Sequence, residues 1–222
     1  MRYLKLFRVL IKKIIEKISS LEYMSEEESL KHFYHKQMES LFKRGLKIGK
    51  NCTIEPTAYI DPAYPYLISI GDNCSIASGV RILAHDATPF KFTGGYVNIN
   101  KVEIKNNVFI AENAIILSGV SIGPNVVVAA GSVVNKDIPP NSCVCGVPAR
   151  FYSTFDAFIE RHKEQIKASP VFDFYDLHLN PDPTIRLKLK EDNKTSVCYS
   201  KGERGNTLWY RTWNRDGSSP LT

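Results

Sequence analysis

The sequence predicts a mainly β chain: a left-handed parallel β-helix of about four coils, with N-terminal helices before it and a C-terminal helix after it. Three observations carry that reading. First, Ile or Val recurs every six residues, at Ile48, Ile54 and Ile60, at Ile70, Ile76 and Ile82, and then at Ile104, Ile110, Ile116, Ile122, Val128 and Val134. A period of six fits neither a helix nor a lone strand and marks a repeat. Second, turn formers stand at a fixed phase after these residues: Gly49, Gly71-Asp72-Asn73, Asn106-Asn107 and Gly123-Pro124-Asn125. Third, both breaks in the repeat, between Ile60 and Ile70 and between Ile82 and Ile104, fall at one corner, after the third strand of a coil.

Residues 1–46 form an N-terminal helical segment. Up to about residue 20, Leu4, Phe7, Ile11, Ile14, Ile15 and Ile18 make one apolar face among basic residues. Such a helix packs on its own protein or an oligomer partner, or lies on a membrane surface. A second helix, capped near Ser25, runs to about Lys43 and ends at Gly45. Residues 47–150 carry the β-helix, with a loop excursion over 86–101. Excursions of this length are functional or disordered. Phe90, Phe92 and Tyr96 favour a packed loop here. Pro139-Pro140 ends the last strand. Ser153 or Thr154 caps a C-terminal helix within residues 151–170. Residues 171–222 read as an irregular tail.

Composition excludes several classes. Hydrophobic residues make up 43% and charged residues 23%, and no apolar run approaches the length of a membrane span. The basic start lacks an uninterrupted apolar region and a small-residue cleavage site, so a cytoplasmic protein is expected, with contact at the inner membrane face left open. Five cysteines without a metal-type spacing read as reduced, partly buried thiols. The net charge of +6 suits an anionic partner, and no nucleic-acid-binding motif accompanies it.

The repeat, together with IGDN at 70–73, LAHDAT at 83–88, AGSVVNKDIPP at 130–140 and GVPAR at 146–150, resembles the hexapeptide-repeat acyltransferases. It looks most like their sugar O-acetyltransferase branch of surface-polysaccharide and capsule biosynthesis. The resemblance covers about residues 47–165. It implies a homotrimer with acetyl-CoA in clefts between subunits, closed in part by the loop excursion. It implies direct transfer of acetyl to a sugar or glycan hydroxyl, and no metal.

By the same resemblance His85 is the catalytic base. Imidazole suits the task because its pKa lies near neutrality. Asp86 is the adjacent carboxylate that orients it, or a solvated turn residue. Phe109 and Glu112 fall where relatives carry Trp and a small residue around the pantetheine and thioester, and the Glu departs from that pattern. A backbone N–H near Ala111 and Glu112 is the expected oxyanion donor. Ala129 and Ala130 give the pantetheine room. Lys136 and Arg150 match basic positions near the CoA phosphates, with solvated surface charge as the alternative. Pro148 borders the adenine. For the acceptor, Asp61, Tyr64 and Tyr66 sit in the shorter insertion at the same corner as His85. Aromatic rings beside a carboxylate suit sugar binding, and tyrosines that only pack the corner are the alternative. Two further readings stay open: N-acetylation of an amino sugar, and a non-catalytic β-helix scaffold. A serine acceptor is disfavoured by the small N-terminal segment. A zinc enzyme on this fold needs three histidines, and the β-helix holds one.

Overall fold

The computed structural model describes residues 12, 26–173, 183–194, 196–201 and 212–213. The helix expected over residues 1 to about 20, apart from Lys12, and the cap at Ser25 lie outside the described residues. The chain divides into two compact units, Met1–Ser40 and Leu41–Thr222. The second unit begins inside helix α1 (Glu26–Lys43). In the second unit α1 ends as its sequence directs. Gly45 adopts φ 98°, its N–H donates to Phe42 O, and Leu46 N–H donates to Leu41 O. That pair of bonds needs a left-handed residue between helix and strand, which glycine supplies.

From Lys47 onward the chain lays successive short strands on three faces. The first face stacks β1 (Lys47–Ile48), β4 (Ile68–Ile70), β9 (Val102–Ile104) and β12 (Ser121–Ile122), all parallel. The second stacks β2 (Cys52–Ile54), β5 (Ser75–Ile76), β10 (Val108–Ile110), β13 (Val126–Val128) and β15 (Ser142–Cys145). The third stacks β3 (Tyr59–Ile60), β6 (Arg81–Ile82), β11 (Ile115–Ile116) and β14 (Val133–Val134). The repeat residues set the register. Ile48, Ile70, Ile104 and Ile122 pair in one column, and Ile54, Ile76, Ile110 and Val128 in the next. All twelve repeat residues are buried. Four layers are complete, and β15 with Ile138 adds a partial fifth.

Corner chemistry closes each turn. Asn51, Asn73, Asn107, Asn125 and Asn141 all have φ between 56° and 59° at the corner joining the first and second faces. Asparagine tolerates this left-handed conformation better than most residues. The amides also bond from layer to layer: Asn51 Nδ2 to Asn73 Oδ1 at 3.3 Å, Asn107 to Asn125 at 2.6 Å and Asn125 to Asn141 at 2.8 Å. Gly71 answers a different demand, close approach. A Cβ there would stand 2.3 Å from Asn106 Oδ1 and 2.7 Å from the Lys105 carbonyl carbon.

The insertions behave as their positions foretell. The shorter one holds a 3₁₀ turn, Pro65–Leu67. The longer one opens with β7 (His85–Asp86), which pairs antiparallel with β8 (Asn98–Ile99), so the excursion is tied at its base. Its tip differs from expectation. Phe90, Phe92 and Tyr96 are exposed rather than packed, Phe92 to 80% and Tyr96 to 74%.

After the β-helix, β16 (Arg150–Thr154) turns back antiparallel to β15, and Thr154 caps α2 (Phe155–Lys167), its Oγ1 accepting from Ala157 N–H at 3.2 Å. The tail is not wholly irregular. β17 (Val171–Asp173) pairs with β18 (Tyr199–Lys201), α3 spans Pro183–Asp192, and β19 (Thr212–Trp213) pairs with β2. Sequence pattern missed α3 because Ile185, Leu187 and Leu189 alternate, which is the signature of a strand. The five cysteines are unpaired; Cys52, Cys74 and Cys143 are buried and Cys145 is exposed. Among the described residues no helix is long and apolar enough to cross a membrane.

Two outcomes test this account of the coil. Gly71→Ala forces backbone apart and should lower the unfolding free energy by about 1–3 kcal/mol in a denaturant titration. Ile110→Ala, which opens a cavity at the centre of the stack, should cost about 2–5 kcal/mol in the same measurement.

Candidate functional site

Asp61 follows the last repeat residue of the first coil, where the shorter insertion leaves the prism. The insertion's turn folds the carboxylate inward, and no part of Asp61 is exposed. A buried carboxylate needs compensation. Oδ1 accepts the Ala63 N–H at 2.9 Å, and Oδ2 accepts the Ala84 N–H at 3.0 Å. Oδ2 also meets Nδ1 of His85. His85 stands one layer above, at the mouth of the longer insertion, with 29% of its side chain exposed. The Tyr64 ring lies 5.4 Å from the imidazole, and Tyr66 meets Tyr64 edge-on at 6.3 Å. Asp61, Tyr64, Tyr66 and His85 therefore form one cluster at one corner.

The cluster fixes the imidazole's chemistry. An ionised carboxylate only accepts hydrogen bonds. Facing Asp61, Nδ1 carries the proton, and the lone pair belongs to Nε2. This is the arrangement of a base held in one tautomer and one orientation by a buried acid.

Asp86, expected either to orient the imidazole or to be a solvated turn residue, takes the second place. Its Oδ1 accepts the Thr88 N–H at 2.8 Å and caps the turn that follows. Hydrogen bonding from the Thr88 side chain, then from its backbone N–H, holds the carboxyl below the usual carboxylate range, with the charge of His85 a smaller cause. The reason is geometric: neighbours in an extended strand point to opposite sides. Asp61, expected to meet the acceptor, is buried and faces the His85 imidazole. The signal for it was present: a carboxylate one residue past a buried isoleucine, one layer below the histidine.

The residues expected around the donor gather at other places. Phe109 stands outward on the second face, 47% exposed. Ala111 and Glu112 turn the corner between the second and third faces, with Ala129 and Ala130 one layer above. The Ala111 N–H donates to Val128 O, so the ladder occupies that candidate oxyanion donor. Glu112 is exposed, and its charge, after burial, helps raise the Glu55 carboxyl above its ordinary value. Lys136, Pro148 and Arg150 are exposed beyond the last full coil. A groove of about 650 Å³ runs between the second face and α2. Phe109, Ala111 and Ala129 line it together with Tyr152, Phe158 and His162. Sequence reading left the last three unassigned.

His85 and the Ala111–Ala129 corner lie at opposite edges of the third face. Six extended residues separate such edges, roughly 20 Å at most. One chain does not bring the base and the expected donor corner together. Among the described residues no three His, Cys, Asp or Glu side chains converge as a metal would require.

Comparison with known proteins agrees with the repeat architecture. A family described as bacterial transferase hexapeptide (six repeats) matches residues 101–136, and one described as hexapeptide repeat of succinyl-transferase matches residues 68–84. Protein CapG of Staphylococcus aureus is 40% identical over 126 residues, covering 54% of this chain and 72% of CapG. Galactoside O-acetyltransferase of Escherichia coli is 34% identical over 133 residues, covering 50% of this chain and 66% of that protein. The chain thus spans about two thirds of the length of the curated relatives it matches. The crystal structure of the polySia-specific acetyltransferase NeuO is similar at 28% identity and TM-score 0.42, covering 49% of this chain and 51% of that one. The buried repeat residues, the two family models and the sequence relatives have one conclusion: the chain belongs to the hexapeptide-repeat acyltransferase family.

Proposed function

We propose that the protein transfers acetyl from acetyl-CoA to a sugar hydroxyl, in the building of a polysaccharide or capsule, with His85 as general base. The observation that carries this reading is the buried Asp61 carboxylate against His85 Nδ1. Asp61 holds the proton on Nδ1 and so keeps Nε2 free. Nε2 takes the proton from the acceptor hydroxyl as its oxygen attacks the thioester carbonyl carbon. The new C–O bond forms and the carbonyl π bond opens to an oxyanion. The oxyanion collapses, the C–S bond breaks, and the imidazolium returns its proton to the departing thiolate. Asp61 stabilises the imidazolium between those steps without itself being protonated. Tyr64 and Tyr66 offer ring faces to the acceptor beside the base.

The donor lies against Phe109, Ala129 and Ala130, with Lys136 and Arg150 toward the CoA phosphates and Pro148 toward the adenine. Because that corner and His85 occupy opposite edges of one face, the active site forms where two copies meet. A homotrimer of left-handed prisms gives each base a neighbour's donor corner. The chain works in the cytoplasm, and the basic apolar stretch over residues 1–20 brings it to the inner membrane face. The domain plan is a helical segment, the β-helix that carries catalysis, the C-terminal helix and the tail.

Thiol release from acetyl-CoA in the presence of a sugar panel tests the reading. His85→Ala should lower turnover by about 10²–10⁴-fold while acetyl-CoA still binds. Unchanged turnover would sink the assignment. Asp61→Asn should lower kcat on the order of 10²-fold or more, whereas Asp86→Asn should stay near wild type. Equal effects of the two would mean that the orienting role is misplaced. Mixing inactive His85→Ala with an inactive donor-corner variant, Ala129→Trp, should restore about one quarter of the sites by random trimer assembly. No recovery in mixed oligomers would argue for a site within one chain.

A further inference from the structure

The groove between the second face and α2 reaches beyond the expected donor corner. It starts at Ala111 and Ala129, crosses the outward side of the second face past Phe109, and arrives at Asn73 and Asn107 on the opposite corner. Its volume of about 650 Å³ falls within the roughly 300–1,000 Å³ typical of small-molecule sites. α2 supplies the outer wall with Phe158 and His162, and β16 supplies Tyr152.

We propose that this groove is a subsite for the non-reacting units of an extended, uncharged oligosaccharide acceptor. The inference rests on the sugar acetyl-transfer reading above and extends it from a sugar to a glycan chain. Three observations carry it. The described lining holds no Asp, Glu, Lys or Arg, so the occupant is neutral there. Beyond the donor's place at Phe109 and Ala129, the lining joins the rings of Tyr152 and Phe158 to the amide and hydroxyl groups of Asn73, Ser75 and Asn107. Pyranose units present that same pair of surfaces, an apolar ring face and an equatorial belt of hydroxyls. The groove is also continuous with the proposed donor corner at Ala111 and Ala129.

His162 is prepared for such a ligand. Its Nδ1 lies 3.3 Å from Tyr199 Oη, and that hydroxyl donates to Gln165 Oε1 at 3.0 Å. Tyr199 therefore accepts from Nδ1–H, and Nε2 remains an acceptor for a sugar hydroxyl. The Phe158 ring packs against the imidazole at 4.5 Å and steadies it. His162 is a positioning and binding group here, distant in role from the base at His85.

Acceptor length is the variable that tests this. Glucose, galactose and N-acetylglucosamine would each be offered as chains of one to four units to the full-length protein. The kcat/KM should rise from one unit to four by roughly tenfold, the size of one aromatic contact. Phe158→Ala and His162→Ala should each reduce that ratio toward one, with the KM for acetyl-CoA held. A length-independent kcat/KM, or a loss expressed in the acetyl-CoA KM, overturns the subsite. Binding of the same chains to His85→Ala, followed calorimetrically, separates the two readings. Length-dependent binding without transfer by the wild type would keep the subsite and reject the sugar acetyltransferase. Transfer with no length dependence in rate or binding would do the reverse.

Discussion

Everything in the β-helix depends on one constraint: each face of each coil must send one apolar side chain into a shared interior, directly over its counterpart in the coil below. The pairing of Ile48 with Ile70, and of Ile110 with Val128, is that constraint in coordinates. Each buried side chain contributes about 1.5–3 kcal/mol. The directional requirement matters as much as the sum. A slip of one residue would turn a whole column outward. β-branched residues suit the column because they are stiff and fill the narrow interior without alternative rotamers.

The same constraint decides where the chain can depart from its repeat. An insertion must leave and rejoin without moving a column, so it has to bulge from a corner. The corner joining the first and second faces is closed to it, because the left-handed asparagines there bond to each other from layer to layer. The corner after the third face carries no such ladder, and both insertions leave from it. Chemistry follows from this freedom. The first insertion turns the Asp61 carboxylate into the interior edge, and the second places His85 directly above it. The rigid prism then holds two side chains from different coils in contact, as no single flexible loop would.

The columns were legible in the sequence because burial is periodic and periodicity survives translation into letters. Ile48 through Val134 announced the three faces, their register and the phase of the breaks. Thr154 was legible as a cap because its role is local. His85 stood out by type and place. Asp61 was visible, but its contact with His85 was not. Whether a carboxylate at an insertion faces solvent or histidine depends on the turn between Asp61 and Ala63, and on a layer 24 residues away. Asp86 turns away from His85 because adjacency in sequence is opposition in a strand. α3 misled because its three apolar residues alternate. The groove residues Tyr152, Phe158 and His162 carried no signal of their own; only the packing of α2 against the second face brings them beside Phe109.

What one chain leaves incomplete is as informative as what it completes. His85 and the Ala111–Ala129 corner sit on opposite edges of the third face, and no loop movement within a chain rotates one edge of a packed prism onto the other. The excursion that starts at His85 points the same way. Phe90, Phe92 and Tyr96 stay in solvent although their own chain offers a base anchored by β7 and β8. Apolar rings left outside a finished core mark a surface meant for contact. In the proposed trimer, His85 with its aromatic excursion and the distant donor corner are the two halves of one site, divided between neighbouring copies by the geometry of a three-sided helix.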